Sequence, residues 1–500
     1  MTVRLEVSGE RGELSFGVED LPLMDDELIQ PPDRLGRPMS KVVGLYQSML
    51  RRLLDHFFPD GRLLIDGDRS SIHWIMDPDR PNFQFDGDPD GLGVGIEWFG
   101  TRYQFLPGSP VPFLPTERRL VDSILKVLDA RFRTMFELAA VDWTEMFHYA
   151  AEDLIVTQYL DPPSATRLPA ALEALRVAAL STYEDRRVSS GALLLGTDSD
   201  PTQPERTNPE EAPRYNVRLT AIKSIHRLCD GLHTLFVVDR RGDLAWAVDI
   251  VRWAERVQGL APLPAPCPRR FLHHARATLT GDHVCLVLTP SQEIKVFAGG
   301  TLAFVFSNAH WRLMDIPSKF EAWRRAVGET VPGLATRIFQ AALNLCEARN
   351  GGLFVLLRDP ESSMPQLVAP SDQMIKASAS KTEAEPEPEP EPDEGDHLRP
   401  RMAKRALHHL VLGQDLTELD DRVLESLAGI EGAVVTDQDG RLLAFGAILR
   451  ITPEAILAAR AVEGARTVAA LAASYHGPVL KISQDGVLSM YLGGRRVWDL

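Results

Sequence analysis

Two short stretches of this 500-residue sequence carry residue types suited to anion chemistry. Gly464-Ala465-Arg466-Thr467 opens a helical segment near the C-terminal end. Backbone N–H groups at a helix start favour an anion, and the Arg466 guanidinium grips a phosphate through two parallel hydrogen bonds. Gly464, together with Gly432 in Glu431-Gly432-Ala433, lets a ligand approach the backbone closely. The other stretch is Phe271-Leu272-His273-His274-Ala275-Arg276. Here His273, His274 and Arg276 either contact phosphate, as a second site, or stand solvated at a helix start. A third pattern, Asp86-Gly87-Asp88-Pro89-Asp90-Gly91 with Glu97, has the spacing of an EF-hand calcium loop. That loop needs a helix on each side, whereas Phe83–Phe85 precede it and a strand-like run follows. It reads as an acidic β-turn, so no metal site is expected.

The elements that must position Glu431 and Arg466 are a hairpin, a helix and a second hairpin. Glu431–Gly446 holds two apolar runs parted by the polar turn Asp437-Gln438-Asp439-Gly440, and Val479–Gly494 repeats the pattern around Asp485-Gly486. This frame resembles the nucleotide-binding domain of the diadenylate cyclases. In that family an Asp-Gly-Ala motif opens the first strand, and a Gly-Thr-Arg-His-Arg-Ala-Ala motif opens the helix. The matching positions here are Glu431-Gly432-Ala433 and Gly464-Ala465-Arg466-Thr467-Val468-Ala469-Ala470.

The resemblance implies that the first motif's carboxylate helps to place a catalytic metal and that the Arg/His cluster handles phosphates. Three positions depart from it. Glu431 is one methylene longer than the family's Asp, and octahedral Mg²⁺ tolerates little displacement. Thr467 and Val468 stand where a His and a second Arg would neutralise phosphate charge. The chain therefore resembles the sensor offshoots of the family. The expectation is a non-catalytic binder of a cyclic or linear dinucleotide, with Glu431, Gly432, Ala433, Gly464, Arg466 and Thr467 around the ligand and Glu431 on a base edge or ribose hydroxyl. Two alternatives stay open: a divergent cyclase making cyclic di-AMP from ATP through Glu431 and Arg466, and an interaction scaffold without a ligand.

The strand pattern comes round twice. A helix carrying Leu168, Leu172 and Leu175 leads through Gly191 into Ala192–Leu195, and one carrying Leu334, Ile338 and Leu345 leads through Gly351-Gly352 into Leu353–Leu357. Leu235–Trp246 then parallels Ala433–Phe445, and Cys285–Gly300 parallels Val479–Gly494, both of the latter ending on Gly-Gly. A repeat of so large a period means domain duplication. The predicted architecture is mixed α/β: an α+β module over 1–115, a helical connector over 116–163, a divergent cyclase-like domain over 164–315, and a second over 332–500. Aligning the hairpins puts His233 and Thr234 of the first copy at the acidic-Gly motif.

Composition bounds the rest. At 44% hydrophobic and 25% charged, the chain has an ordinary globular make-up. Its formal charge is −16, and residues 383–396 hold eight acids and no base. With no dense Lys/Arg stripe, a nucleic-acid partner is not expected. Four scattered cysteines read as reduced core thiols. No apolar run approaches the roughly 20 residues that span a bilayer, and the first residues lack a signal-peptide pattern. The expectation is a cytoplasmic protein with no cofactor, no membrane contact, and an effector protein as its output. The Glu-Pro tract at 383–394 cannot pack a core, and reads as a disordered insertion, about 370–398, inside the second domain.

Overall fold

In a computed structural model of the chain, the residues described are 37–59, 61–65, 83–86, 93–99, 101–108, 113–134, 149–160, 167–183, 185–197, 212–220, 225, 228–259, 261–328, 331–374, 408–411, 413–453 and 464–500. Three runs whose sequence reads as strands, Val3–Val7, Leu14–Val18 and Ile72–Ile75, lie outside them, as do the Glu-Pro tract and most of the calcium-like turn.

The N-terminal part pairs α1 (Arg37–Phe57) with a four-stranded antiparallel sheet. Val43, Tyr46, Leu50, Leu53 and Phe57 recur at helical spacing and are all buried. The sheet runs β1 (Arg62–Ile65), β4 (Thr101–Leu106), β3 (Val94–Trp98), β2 (Phe83–Asp86). The acidic turn is thus flanked by two paired strands, with Asp86 opposite Gly95, rather than by the helices of a calcium-binding hand. Two helices of the predicted connector follow, α2 (Pro115–Thr134) and α3 (Ala151–Leu160). Then α4 (Arg167–Ala179) and the small ribbon β5 (Thr182–Tyr183) and β6 (Arg186–Arg187) lead into the first large sheet.

That sheet has seven strands: β7 (Ser190–Leu194), β8 (Thr234–Val238), β9 (Leu244–Asp249), β10 (Val284–Leu288), β11 (Ile294–Ala298), β12 (Thr301–Ser307) and β13 (His310–Leu313). Between them lie α5 (Val217–Thr220), α6 (Ile250–Gln258) and α7 (Leu272–Ala277). Two helices, α8 (Ile316–Val327) and α9 (Leu334–Glu347), then reach the six-stranded sheet. Its strands are β14 (Gly352–Leu357), β15 (Ala433–Asp437), β16 (Leu442–Ala447), β17 (Val479–Ile482), β18 (Leu488–Leu492) and β19 (Arg495–Asp499). Its helices are α10 (Pro360–Leu367), α11 (Asp421–Gly429) and α12 (Ala465–Ala473). The architecture is mixed α/β, as the periodicities indicate.

The two large sheets share one strand order. The first runs β13-β12-β11-β10-β7-β8-β9 and the second β19-β18-β17-β14-β15-β16, so the first carries one extra edge strand. In each, one central pair is parallel (β7 with β8, β14 with β15) and the other neighbours are antiparallel. A strand buried on both faces reads as a continuous apolar run, and Leu353–Leu357 is one. Phe354 and Leu356 join the large core under α9, while Leu353, Val355 and Leu357 join a separate cluster with Ala470 and Ala473 of α12. The helix α9 is common to both halves, because Ile338, Phe339 and Ala342 share one core with Leu193 and Phe297 of the first sheet and Phe354 and Leu480 of the second. The other face of the seven-stranded sheet, with Ala192, Leu194 and Phe236, packs on the N-terminal part. Among the described residues no helix is long and apolar enough to cross a membrane.

Candidate functional site

Parallel pairing of β14 with β15 decides where the first motif lies. Phe354 is beside Val434, so stepping back along both strands sets Ala433 by Leu353 and Glu431 at the level of Gly351. Antiparallel pairing puts Lys481 of β17 opposite Leu353. The helix α12 starts at this same end of the sheet. Its Gly464 cap carries no side-chain hydrogen bond, and the Thr467 amide donates to the Gly464 carbonyl at 2.9 Å, so in the first turn the amides of Ala465 and Arg466 are the ones placed to meet an outside acceptor.

Two contacts fix the basic groups there. A Cβ on Gly351 would come within 2.1 Å of Arg466 Nη1 and 2.8 Å of its Cζ. The guanidinium therefore lies against the turn with Nη1 leading, in space that only glycine leaves. Lys481 Nζ donates to Thr467 Oγ1 at 3.1 Å, bringing a second cation beside the helix start. Val468 packs against the core of the sheet, so its position offers the corner no polar group. Glu431 is exposed and Arg466 half-buried.

Gly432 has a different cause from the one its motif suggests. Its φ is +113°, and a Cβ there would meet the Gly446 carbonyl carbon at 2.4 Å. The glycine is needed for the close crossing of β15 and β16, where β-bulge shifts interrupt the register. Sequence reasoning did not pick out Gly351 as a contact of Arg466, nor Lys481. The second had a signal: it is the one charged residue in the apolar strand Val479–Ile482.

The corresponding end of the first sheet is built differently. Ala192 lies beside Phe236 and opposite Leu286, just as Phe354 lies beside Val434 and opposite Leu480. By that register His233 matches Glu431 and Val287 matches Lys481; Leu272 stands as far before Val287 as Arg466 before Lys481. The loop before β8 is closed on itself. Asp230 Oδ1 accepts from the amides of Leu232, His233 and Thr234 at 2.9, 2.7 and 2.9 Å, and Oδ2 pairs with His233 Nδ1 at 2.8 Å. Partial burial opposes ionisation of Asp230, but these bonds outweigh it and hold the carboxyl well below the usual range.

His274 is 1% exposed, with Nε2 at 3.0 Å from the Gly231 carbonyl and its ring beside Phe271 and Phe297. Burial lowers its pKa to about 4, so near neutrality it is an uncharged donor clamping the Gly231 loop. His273 Nδ1 and Arg276 Nε are buried without a hydrogen-bond partner. Among the described residues no group of three His, Cys, Asp or Glu side chains could hold a metal ion.

No family model and no curated protein matches the chain. Two solved structures overlap it in part. A hypothetical membrane spanning protein from Bacillus cereus aligns at 17% identity, over 36% of this chain and 71% of its own, with a TM-score of 0.24. The diadenylate cyclase DacA from Staphylococcus aureus, as a double cysteine variant, is a weak structural neighbour at 12% identity, over 33% of this chain and 86% of its own, with a TM-score of 0.19. Superpositions this loose carry no functional weight.

Proposed function

We propose that the chain is a non-catalytic sensor that binds a nucleotide, cyclic or linear dinucleotide at the corner where β14, β15, β17 and α12 meet. The observation that carries the reading is the Arg466 guanidinium seated on Gly351 beside the uncapped start of α12. A phosphate there meets a fork of N–H donors, the amides of Ala465 and Arg466 and, one residue on, the Lys481–Thr467 pair. Gly464 and Ala465 border the same approach; Glu431 stands on the β15 side, placed to accept from a ribose hydroxyl or a base edge, while Ala433 is buried in the core behind it.

Sensing rather than turnover is supported by what occupies the two positions after Arg466. Thr467 is engaged by Lys481 and Val468 faces the core, so neither supplies the charge that phosphoryl transfer requires. The shared strand order supports reading two tandem cyclase-like domains, roughly 164–315 and 332–500. In the first, His273 and Arg276 stand as the bases left for a ligand near the matching corner, since His274 is spent on Gly231 and His233 on Asp230. Any output would pass through an effector protein.

Calorimetry against a panel of mono- and dinucleotides tests this directly. Wild-type protein should bind at least one of them, and Arg466→Ala should weaken that binding by about 1.5–3 kcal/mol, the scale of a charged hydrogen bond. Unchanged affinity in Arg466→Ala would move the site to the corner of His273 and Arg276. No binding to any member of the panel would leave the scaffold reading.

A further inference from the structure

We infer that occupancy of the nucleotide corner is coupled to the joint between the two large sheets, through the turn that links α9 to β14. The inference rests on the nucleotide reading and adds to it a route by which binding is felt elsewhere in the chain.

The turn is the floor under Arg466 and is also tied to the first sheet. Four residues before Gly351, Glu347 takes a 2.8 Å bond from Lys295 Nζ of β11. Two residues before Gly351, Arg349 reaches Glu293, in the β10–β11 turn, at 2.7 Å. Lys295 is 5% exposed, and Glu293 also lies 3.4 Å from it, so the four side chains form one chain of contacts, Glu347–Lys295–Glu293–Arg349. Arg349 holds a left-handed backbone, φ 53°, a conformation that ordinary residues keep only where the surroundings enforce it.

The other strand entering the corner is anchored in the same way. The helix α11 ends two residues before Glu431, and its Glu425 accepts from Arg269 of the first half at 3.0 Å and from Asn344 of α9 at 2.6 Å. Both chain segments that enter the corner therefore come straight from contacts with the first half. α9 between them is a rigid rod whose buried face belongs to a core shared by both sheets.

The coupling works by pre-organisation. When the network seats the turn, Gly351 holds the guanidinium in one place, and a phosphate finds it already ordered. When the network is broken, the turn and the guanidinium loosen together, and binding must order both. Reciprocity follows: a ligand that fixes Arg466 on the turn steadies the network.

Hydrogen exchange on the full chain reads both ends, with cyclic di-AMP and ATP as separate probes. Binding should slow exchange at residues 465–468 and also at 289–295 in the first half. Arg349→Gln and Glu293→Gln should each weaken the affinity about fivefold, the lower end of ordinary allosteric coupling. The double substitution should do no more than Glu293→Gln alone, because the Arg349–Glu293 contact is already lost there. Arg349 is half exposed, and a melting curve for each variant confirms that it is folded. Protection confined to 465–468, or wild-type affinity in both variants, overturns the coupling and leaves the nucleotide site standing. If neither probe slows exchange at 465–468, site and coupling fall together.

Discussion

Replacing Gly351 by alanine separates the binding role of Arg466 from any structural one. The new Cβ would stand 2.1 Å from Nη1, where carbon contacts settle at about 3.5–4.0 Å, so the guanidinium must retreat by roughly 1.5 Å. The obstacle is the far end of a flexible side chain, and folding should absorb it. An off-rotamer arginine costs about 0.5–1.5 kcal/mol, and alanine in a compatible backbone returns about 0.4–1 kcal/mol by restricting the unfolded chain. Stability should thus change by no more than about 1 kcal/mol. Binding loses more. A guanidinium shifted that far gives up its phosphate hydrogen bonds, worth ~1.5–3 kcal/mol. At about 1.4 kcal/mol per tenfold, that is roughly a 10- to 150-fold rise in Kd. Calorimetry on wild type, Gly351→Ala, Arg466→Ala and the double variant completes the cycle. Both substitutions act through one guanidinium, so the double variant should bind no more weakly than Arg466→Ala alone. A folded Gly351→Ala protein with wild-type affinity, or losses that add in the double variant, would refute the placement of phosphate beside Arg466.

Three further outcomes are expected. Gly432→Ala should destabilise by at least about 1–3 kcal/mol, because its positive φ and its backbone neighbour at Gly446 leave nothing flexible to move; a melting temperature equal to wild type would contradict this. His274 gives a pH signature: its pKa falls from 6.5 to about 4 on folding, so the native state binds fewer protons than the unfolded one between these values. The stability it contributes is intact above about 6.5 and lost as pH falls to about 4, on the order of 3 kcal/mol; His274→Gln, which keeps a donor for Gly231, should flatten that decline, and an equally steep loss would refute the assignment. Purified protein given ATP with Mg²⁺ or Mn²⁺ should form no cyclic di-AMP, since a lost charged donor costs ~10²–10³ in rate and two positions are altered; product detected by chromatography would restore the cyclase alternative.

How much of this was legible in the sequence depends on how local each cause is. The hairpins at Glu431–Gly446 and Val479–Gly494 announce themselves because their turns need positive φ, and Gly440 and Gly486, at +82° and +78°, supply it. The helix face of Tyr46, Leu50, Leu53 and Phe57 is equally plain, since its spacing and its burial are the same fact. The glycine of Glu431-Gly432-Ala433 was visible but its reason was not: the sequence pattern suggests room for a ligand, whereas the crowding comes from Gly446 across the hairpin. Lys481 and Gly351 were hidden more deeply. Each acquires meaning only when β17 is laid beside β14 and α12 is docked over them, and strand pairing between segments so far apart in sequence leaves no local trace.

The His274 clamp follows the same logic in reverse. A histidine pair at a helix start looks like a phosphate contact, and tertiary packing decides otherwise for one of the two. Phe271 and Phe297 exclude water from its ring, and the Gly231 carbonyl accepts a hydrogen bond from its Nε2–H. Loss of hydration is what removes its charge. The two sheets thus share a strand order but spend it differently. In the second, a glycine turn before β14 holds a cation at the corner; in the first, a neutral imidazole ties shut the loop before β8, the counterpart of the Glu431 segment. A single architecture has room for both because the strand ladder fixes only where the corner is. The side chains on the turn before each central strand, and on the helix that caps it, determine whether an anion finds charge there.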